Sequence, residues 1–147
     1  MPARAKIFLD TSVIFAAVFS SDGGSRLLFR LGEIGLLDIW VGQSVIQEAE
    51  EVVQCKAPHT LPDLAILLSI VRVSLGSSPG NREYEQAREL VHYLPDARVL
   101  AEAICAGPDW FVTLDRKHFL ENRLLAKLPF QIGTPGDFLE AFKENLK

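Results

Sequence analysis

The sequence predicts an α/β fold in three layers, with a central, mostly parallel sheet of four to five strands and helices on both faces. Three observations predict it. Short apolar runs recur along the chain, segments of helical periodicity lie between them, and no linker, internal repeat or low-complexity tract interrupts the alternation. Strands that alternate with helices are joined by crossovers, and crossovers place helices on the faces of a parallel sheet. At 147 residues, 48% apolar and 23% charged, the chain reads as a single domain, 1–147, large enough to bury a core.

"AKIFLD" opens the chain's regular structure as a buried strand, short and without polar alternation. A helix follows in "TSVIFAAVF". Ser25 is read as the cap of the next helix, "RLLFRLGEI", which Gly35 stops. "LLDIWV" (36–41) is the second strand. "SVIQEAEEVV" (44–53) carries apolar residues at 45, 46, 49, 52 and 53, the stripe of an amphipathic helix. Residues 61–69 form a short helix opened by Pro62 and Asp63, and "IVRVSL" (70–75) is the third strand. "GSSPGN" (76–81) is a loop. Beyond it, "REYEQARELVHYL" repeats apolar positions at 84, 87, 90 and 91. Pro95 begins a helix that runs through Ala106, "WFVTLD" (110–115) is the fourth strand, and "FQI" (130–132) a fifth. Pro135 begins the last helix, "GDFLEAFKENL".

Composition excludes several classes of function. The net charge is −4, so the basic footprint of a tight, nonspecific nucleic-acid binder is missing. A nuclease whose carboxylates are neutralised by metal ions is compatible with that charge. Cys55 and Cys105 stand far apart, and His59, His92 and His118 are scattered, which argues against a zinc site. No apolar run approaches the ~20 residues that span a bilayer. "MPARAKIFLD" lacks the long apolar region of a secretory leader, so a cytoplasmic protein with no membrane contact is expected.

The chemistry lies in the acids. Asp10 closes the first strand and Asp115 the fourth. In open α/β sheets ligands bind outside the carboxyl ends of the strands, so both are candidates for one site. Read alone, Asp10 is as good a helix cap as a ligand. Asp96 shares the helical face of Leu100, Ala103 and Ile104, which the dipole preference of a first-turn acid does not explain. On the helix 44–53, Glu51 lies opposite the apolar stripe. Glu48 and Glu50 flank it about 100° to either side, and periodicity does not choose between them. Carboxylates gathered on one rim repel unless one is protonated or a cation sits among them. Mg²⁺ and Mn²⁺ take oxygen ligands and keep waters, which suits phosphodiester hydrolysis.

In "LDTSVI", "SVIQEAEEVV", "LPDARVLAEAICAGPDWFVTLDRKHFL" and "TPGDFLEAF", taken in order, the chain resembles the PIN-domain ribonucleases, including the VapC-type toxins of toxin–antitoxin pairs. The resemblance covers roughly residues 5–143. It implies a PIN-like (Rossmann-like) domain and an endoribonuclease that holds Mg²⁺ or Mn²⁺ with Asp10, Glu48, Asp96 and Asp115. It places the helix glutamate at Glu48, and it matches Thr11, Ser12 and Thr113 to supporting hydroxyl positions. RNA as substrate, a small antitoxin protein as partner and homodimerisation are its further implications. One departure concerns Leu114, where many members have glycine between the hydroxyl residue and the last aspartate. Arg26, Arg98, Arg116 and Lys117, with the neighbouring His118, are candidate RNA contacts at the rim.

Other α/β enzymes fit less well. A haloacid-dehalogenase-type phosphatase needs an acid two residues after Asp10, where Ser12 stands. A receiver domain needs an acid at the end of the third strand, and "VSLGSS" has none. A dinucleotide site needs G-x-G-x-x-G after the first strand, where "DTSVIF" stands. The remaining alternative is a PIN-fold scaffold that binds RNA or a partner and cleaves weakly or not at all.

Overall fold

The structure is a computed structural model that describes residues 4–73 and 79–146; the end of the expected third strand and the first half of the loop 76–81 lie outside the described residues. Five strands, β1 (Ala5–Leu9), β2 (Leu37–Val41), β3 (Arg72–Val73), β4 (Trp110–Val112) and β5 (Gln131–Gly133), form one sheet in the order β3-β2-β1-β4-β5. Every neighbouring pair is parallel. β1 is central because its second half has no polar residue to offer solvent: Ile7, Phe8 and Leu9 are completely buried. Ile7 sits opposite Ile39 on one side and Trp110 on the other. The chain winds away from β1 in both directions, so the carboxyl ends of β1 and β4 flank the switch point of the sheet.

Seven helices cover the sheet among the described residues: α1 (Thr11–Phe19), α2 (Gly24–Glu33), α3 (Gln43–Lys56), α4 (Leu61–Leu68), α5 (Asn81–Leu90), α6 (Leu94–Ala106) and α7 (Pro135–Asn145). Two capping expectations meet different outcomes. Ser25 lies inside α2 and is buried, and Gly23 takes the N-cap position instead. At the other end of α2, Gly35 has φ +85°. Its N–H reaches the Gly32 carbonyl and the Leu36 N–H reaches the Leu31 carbonyl, the paired bonds of a Schellman stop.

β4 ends at Val112, three residues short of the expected "WFVTLD". The Thr113 N–H still pairs with the Gly133 carbonyl. Asp115 then caps a helical turn, Arg116–Leu120, by accepting from the His118 N–H at 3.1 Å. The strand yields because this local cap satisfies backbone groups that a longer strand would have left at the sheet edge. Behind the turn, Phe111 packs against Phe8, Phe119 and Phe130, which fixes the base of the site in a ring cluster.

Candidate metal-binding active site

Asp10 leaves β1 at the N-cap position of α1, yet its side chain makes no cap hydrogen bond. The carboxylate accepts instead from the Thr113 hydroxyl at 2.8 Å and from the Ser12 hydroxyl at 3.0 Å. The same two hydroxyls accept backbone N–H groups beyond β4. Asp115 donates to Thr113 at 3.0 Å and Leu114 to Ser12 at 3.0 Å. This lattice stitches the ends of β1 and β4 together. It also accounts for Leu114, whose backbone makes the close approach while its side chain stays exposed. Burial pushes the Asp10 carboxyl up, the Thr113 and Ser12 hydroxyls partly restrain it, and the charge of Asp115 adds to the rise.

Asp96 enters from the first turn of α6, where Tyr93 is the N-cap and Pro95 lies in the first turn. Partial burial pushes its carboxyl up to about 6, against the restraint of His118, and the charges of Asp10, Asp115 and Glu48 raise it further. The other three expected carboxylates therefore all act on Asp96. Asp96 Oδ2 is buried and has no hydrogen-bond partner; His118 Nδ1 lies 3.0 Å away, but only its 3.1 Å contact with Asp115 Oδ2 has hydrogen-bond geometry.

The two glutamates that periodicity could not separate face different neighbours. Glu48 accepts from the Thr11 hydroxyl of α1 at 3.1 Å and stands at the mouth of the site, whereas Glu50 borders a groove against α4. Thr11, Ser12 and Thr113 thus each hold an acid or its backbone. Arg26 donates through Nε and Nη2 to the Ala17 carbonyl at the end of α1. Arg98, Arg116 and Lys117 are exposed.

Two contributors were not legible as such in the sequence. His118, expected only as a phosphate contact at the rim beside Arg116 and Lys117, joins Asp96 and Asp115 in a cluster whose ligand atoms all lie within 4.8 Å of one another. Its spacing of three residues from Asp115 in a helical turn was the available signal. Glu102 is buried and accepts from the Ser44 N–H with both carboxylate oxygens at 3.2 Å, tying α6 to the start of α3. Gly42 makes room for it, since a Cβ there would stand 2.5 Å from Glu102 Oε1. That contact sets the helix of Glu48 against the helix of Asp96. Burial pushes the Glu102 carboxyl up, and the hydrogen bonds from Ser44 oppose it.

The donor set fits a hard divalent cation. It offers carboxylate oxygens from separate elements, their mutual repulsion is unrelieved by any lysine or arginine bonded to them among the described interactions, and one buried oxygen lacks a donor.

No family model matches the sequence, and no curated protein does. Several solved structures match the fold, three of them as follows. The VapBC2 complex of Rickettsia felis, bound to a DNA fragment from its promoter, matches with a TM-score of 0.68 at 17% identity, over 87% of this chain and 98% of that one. The DNA-bound VapBC of Salmonella typhimurium matches with a TM-score of 0.65 at 18% identity, over 89% and 98%. Mycobacterium tuberculosis VapC20, a sarcin–ricin-loop-cleaving toxin, matches with a TM-score of 0.51 at 21% identity, over 76% and 91%. The chain therefore has the PIN-like three-layer α/β/α fold of these VapBC and VapC structures.

Proposed function

We propose that this chain is a metal-dependent endoribonuclease and the toxin of a toxin–antitoxin pair. The observation that carries the reading is the meeting of Asp10, Glu48, Asp96 and Asp115 on one rim, with mutual repulsion and an unpaired buried oxygen at Asp96. Asp10, Asp96 and Asp115, with Glu48 beside them, would hold Mg²⁺ or Mn²⁺. When bound, the ion supplies an activated water for phosphodiester hydrolysis and charge to stabilise the leaving oxygen. The protein's own part is positioning. Thr113 and Ser12 fix the Asp10 carboxylate, Thr11 steadies Glu48, and the Asp115 cap fixes the turn that follows it. Arg98, Arg116 and Lys117 stand free at the surface to meet phosphates of the RNA, which offsets the acidic charge of the whole.

The fold neighbours support the biological half of the reading. Two are toxin–antitoxin complexes on promoter DNA or DNA, and the third cleaves the sarcin–ricin loop. A small antitoxin protein is the partner this implies, and a homodimer is the assembly expected of the toxin. No described helix is long and apolar enough to cross a membrane.

Incubation with RNA and Mn²⁺ tests the enzyme. Wild type should cleave and Asp10→Asn should not, with both proteins equally folded by circular dichroism. Equal cleavage by the two would remove the site assignment and favour a binding scaffold. Expression should arrest growth, and the same substitution should relieve the arrest.

A further inference from the structure

We infer that His118 supplies Nδ1 as a nitrogen ligand to the cation held by Asp96 and Asp115, making the site prefer Mn²⁺ to Mg²⁺. This rests on the cation site proposed above but goes beyond its four acids. The imidazole is placed for the role by its contacts with two acids. Its Nδ1 is 3.0 Å from Asp96 Oδ2 and 3.1 Å from Asp115 Oδ2, so it points at the carboxylates and away from solvent. Adjacent ligands around an ion with bonds of roughly 2.1 Å stand about 3.0 Å apart, so Nδ1 already lies at ligand spacing from an oxygen of each acid. The backbone N–H of His118 is held by Asp115 Oδ1.

The ring is also held flat. Tyr93 stacks on it with centroids 5.2 Å apart and planes 19° apart. Tyr93 itself is the N-cap of α6, three residues before Asp96, so the element that carries one ligand also orients another. The chemical consequence follows from ligand type. Mg²⁺ favours an all-oxygen shell, whereas first-row transition ions gain from an imidazole nitrogen.

Electron spin echo measurements on the Mn²⁺-loaded protein test this directly. Wild type and His92→Gln should show nitrogen coupling to the ion, and His118→Ala should lose it. Calorimetry should show Mn²⁺ affinity falling on the order of tenfold in His118→Ala, with Mg²⁺ affinity changed far less. Bound Mn²⁺ without nitrogen coupling overturns the inference, as does an equal loss for both ions. Should His118→Ala fail to fold, wild type labelled with ¹⁵N-histidine decides, because a true ligand must change the coupling with the isotope. RNA cleavage measured alongside separates the two readings. Cleavage without nitrogen coupling leaves the nuclease and removes the ligand. Nitrogen coupling without cleavage leaves the ligand and removes the nuclease. Failure to take up Mn²⁺ removes both.

Discussion

The two halves of the site are built on different principles. On the strand side, Asp10 is buried but satisfied, since two hydroxyls donate to it and those hydroxyls in turn hold the backbone beyond β4. On the helix side, Asp96 has a buried oxygen with no donor, beside the histidine and the second aspartate of a helical turn. The strand half is a finished hydrogen-bond lattice whether or not a cation is present. The helix half is left in want of positive charge. A cation site assembled this way would keep its geometry from the sheet and draw its affinity from the frustration of the helix acids.

The largest effects should come from cutting a ligand in either half. Asp10→Asn and Asp115→Asn should each lower RNA cleavage by ~10²-fold or more, exceeding the 10- to 100-fold typical of groups that merely orient a ligand. Single-turnover assays at saturating Mn²⁺ would show it, and retention of more than a tenth of the activity would break the assignment. Thr113→Val tests the strand half alone. It removes the donor at 2.8 Å from Asp10 and the acceptor of the Asp115 N–H, so it should destabilise the fold by about 1–3 kcal/mol. Urea unfolding would measure this, and cleavage should fall within the 10- to 100-fold range of an orienting group.

The helix half should respond to pH. Because the Asp96 carboxyl lies near 6, Mn²⁺ must displace a proton from it below that pH. Apparent affinity should therefore fall as the pH drops from 7 to 5, by up to about tenfold per unit for one proton. The same group sets the sign of a stability effect in the metal-free protein. Its value is raised from 3.8 in the folded state, so stability is lost as the pH rises through about 6. Asp96→Asn should then stabilise the metal-free protein above pH 6 by ~1 kcal/mol, allowing for solvent screening of a partly exposed group. The gain should shrink between pH 6 and 3.8 and vanish below. Thermal melts at pH 7.5 and 3.5 would show it, and a destabilised Asn variant at pH 7.5 would break the contrast between the halves. The smallest effect belongs to Leu114→Gly. With an exposed side chain and only its backbone in the lattice, it should change cleavage little and cost at most ~1 kcal/mol in chain entropy.

Much of the fold was legible because it rests on local rules. The apolar run in "AKIFLD" is a buried strand as expected, and the Gly35 stop, the Pro95 and Pro135 starts and the stripe of 44–53 each fell where expected. Ser25 failed as a cap because the chain turns inward two residues earlier, at Gly23. The four acids were legible in part. Strand-end position pointed to Asp10 and Asp115 and helix phase to Asp96, but phase was silent between Glu48 and Glu50, and only the resemblance named Glu48.

By itself, then, the sequence determined the alternation of strand and helix, the burial of β1 and three of the acids that the sheet edge would carry. These follow from periodicity and apolar content, which act over a few residues. Only the tertiary structure decided that Glu48 turns to Thr11 while Glu50 turns to α4, that Glu102 locks α6 to α3, and that His118 sits between Asp96 and Asp115. Those choices depend on how helices far apart in sequence pack across one sheet, and no local pattern of residues encodes the distance between them.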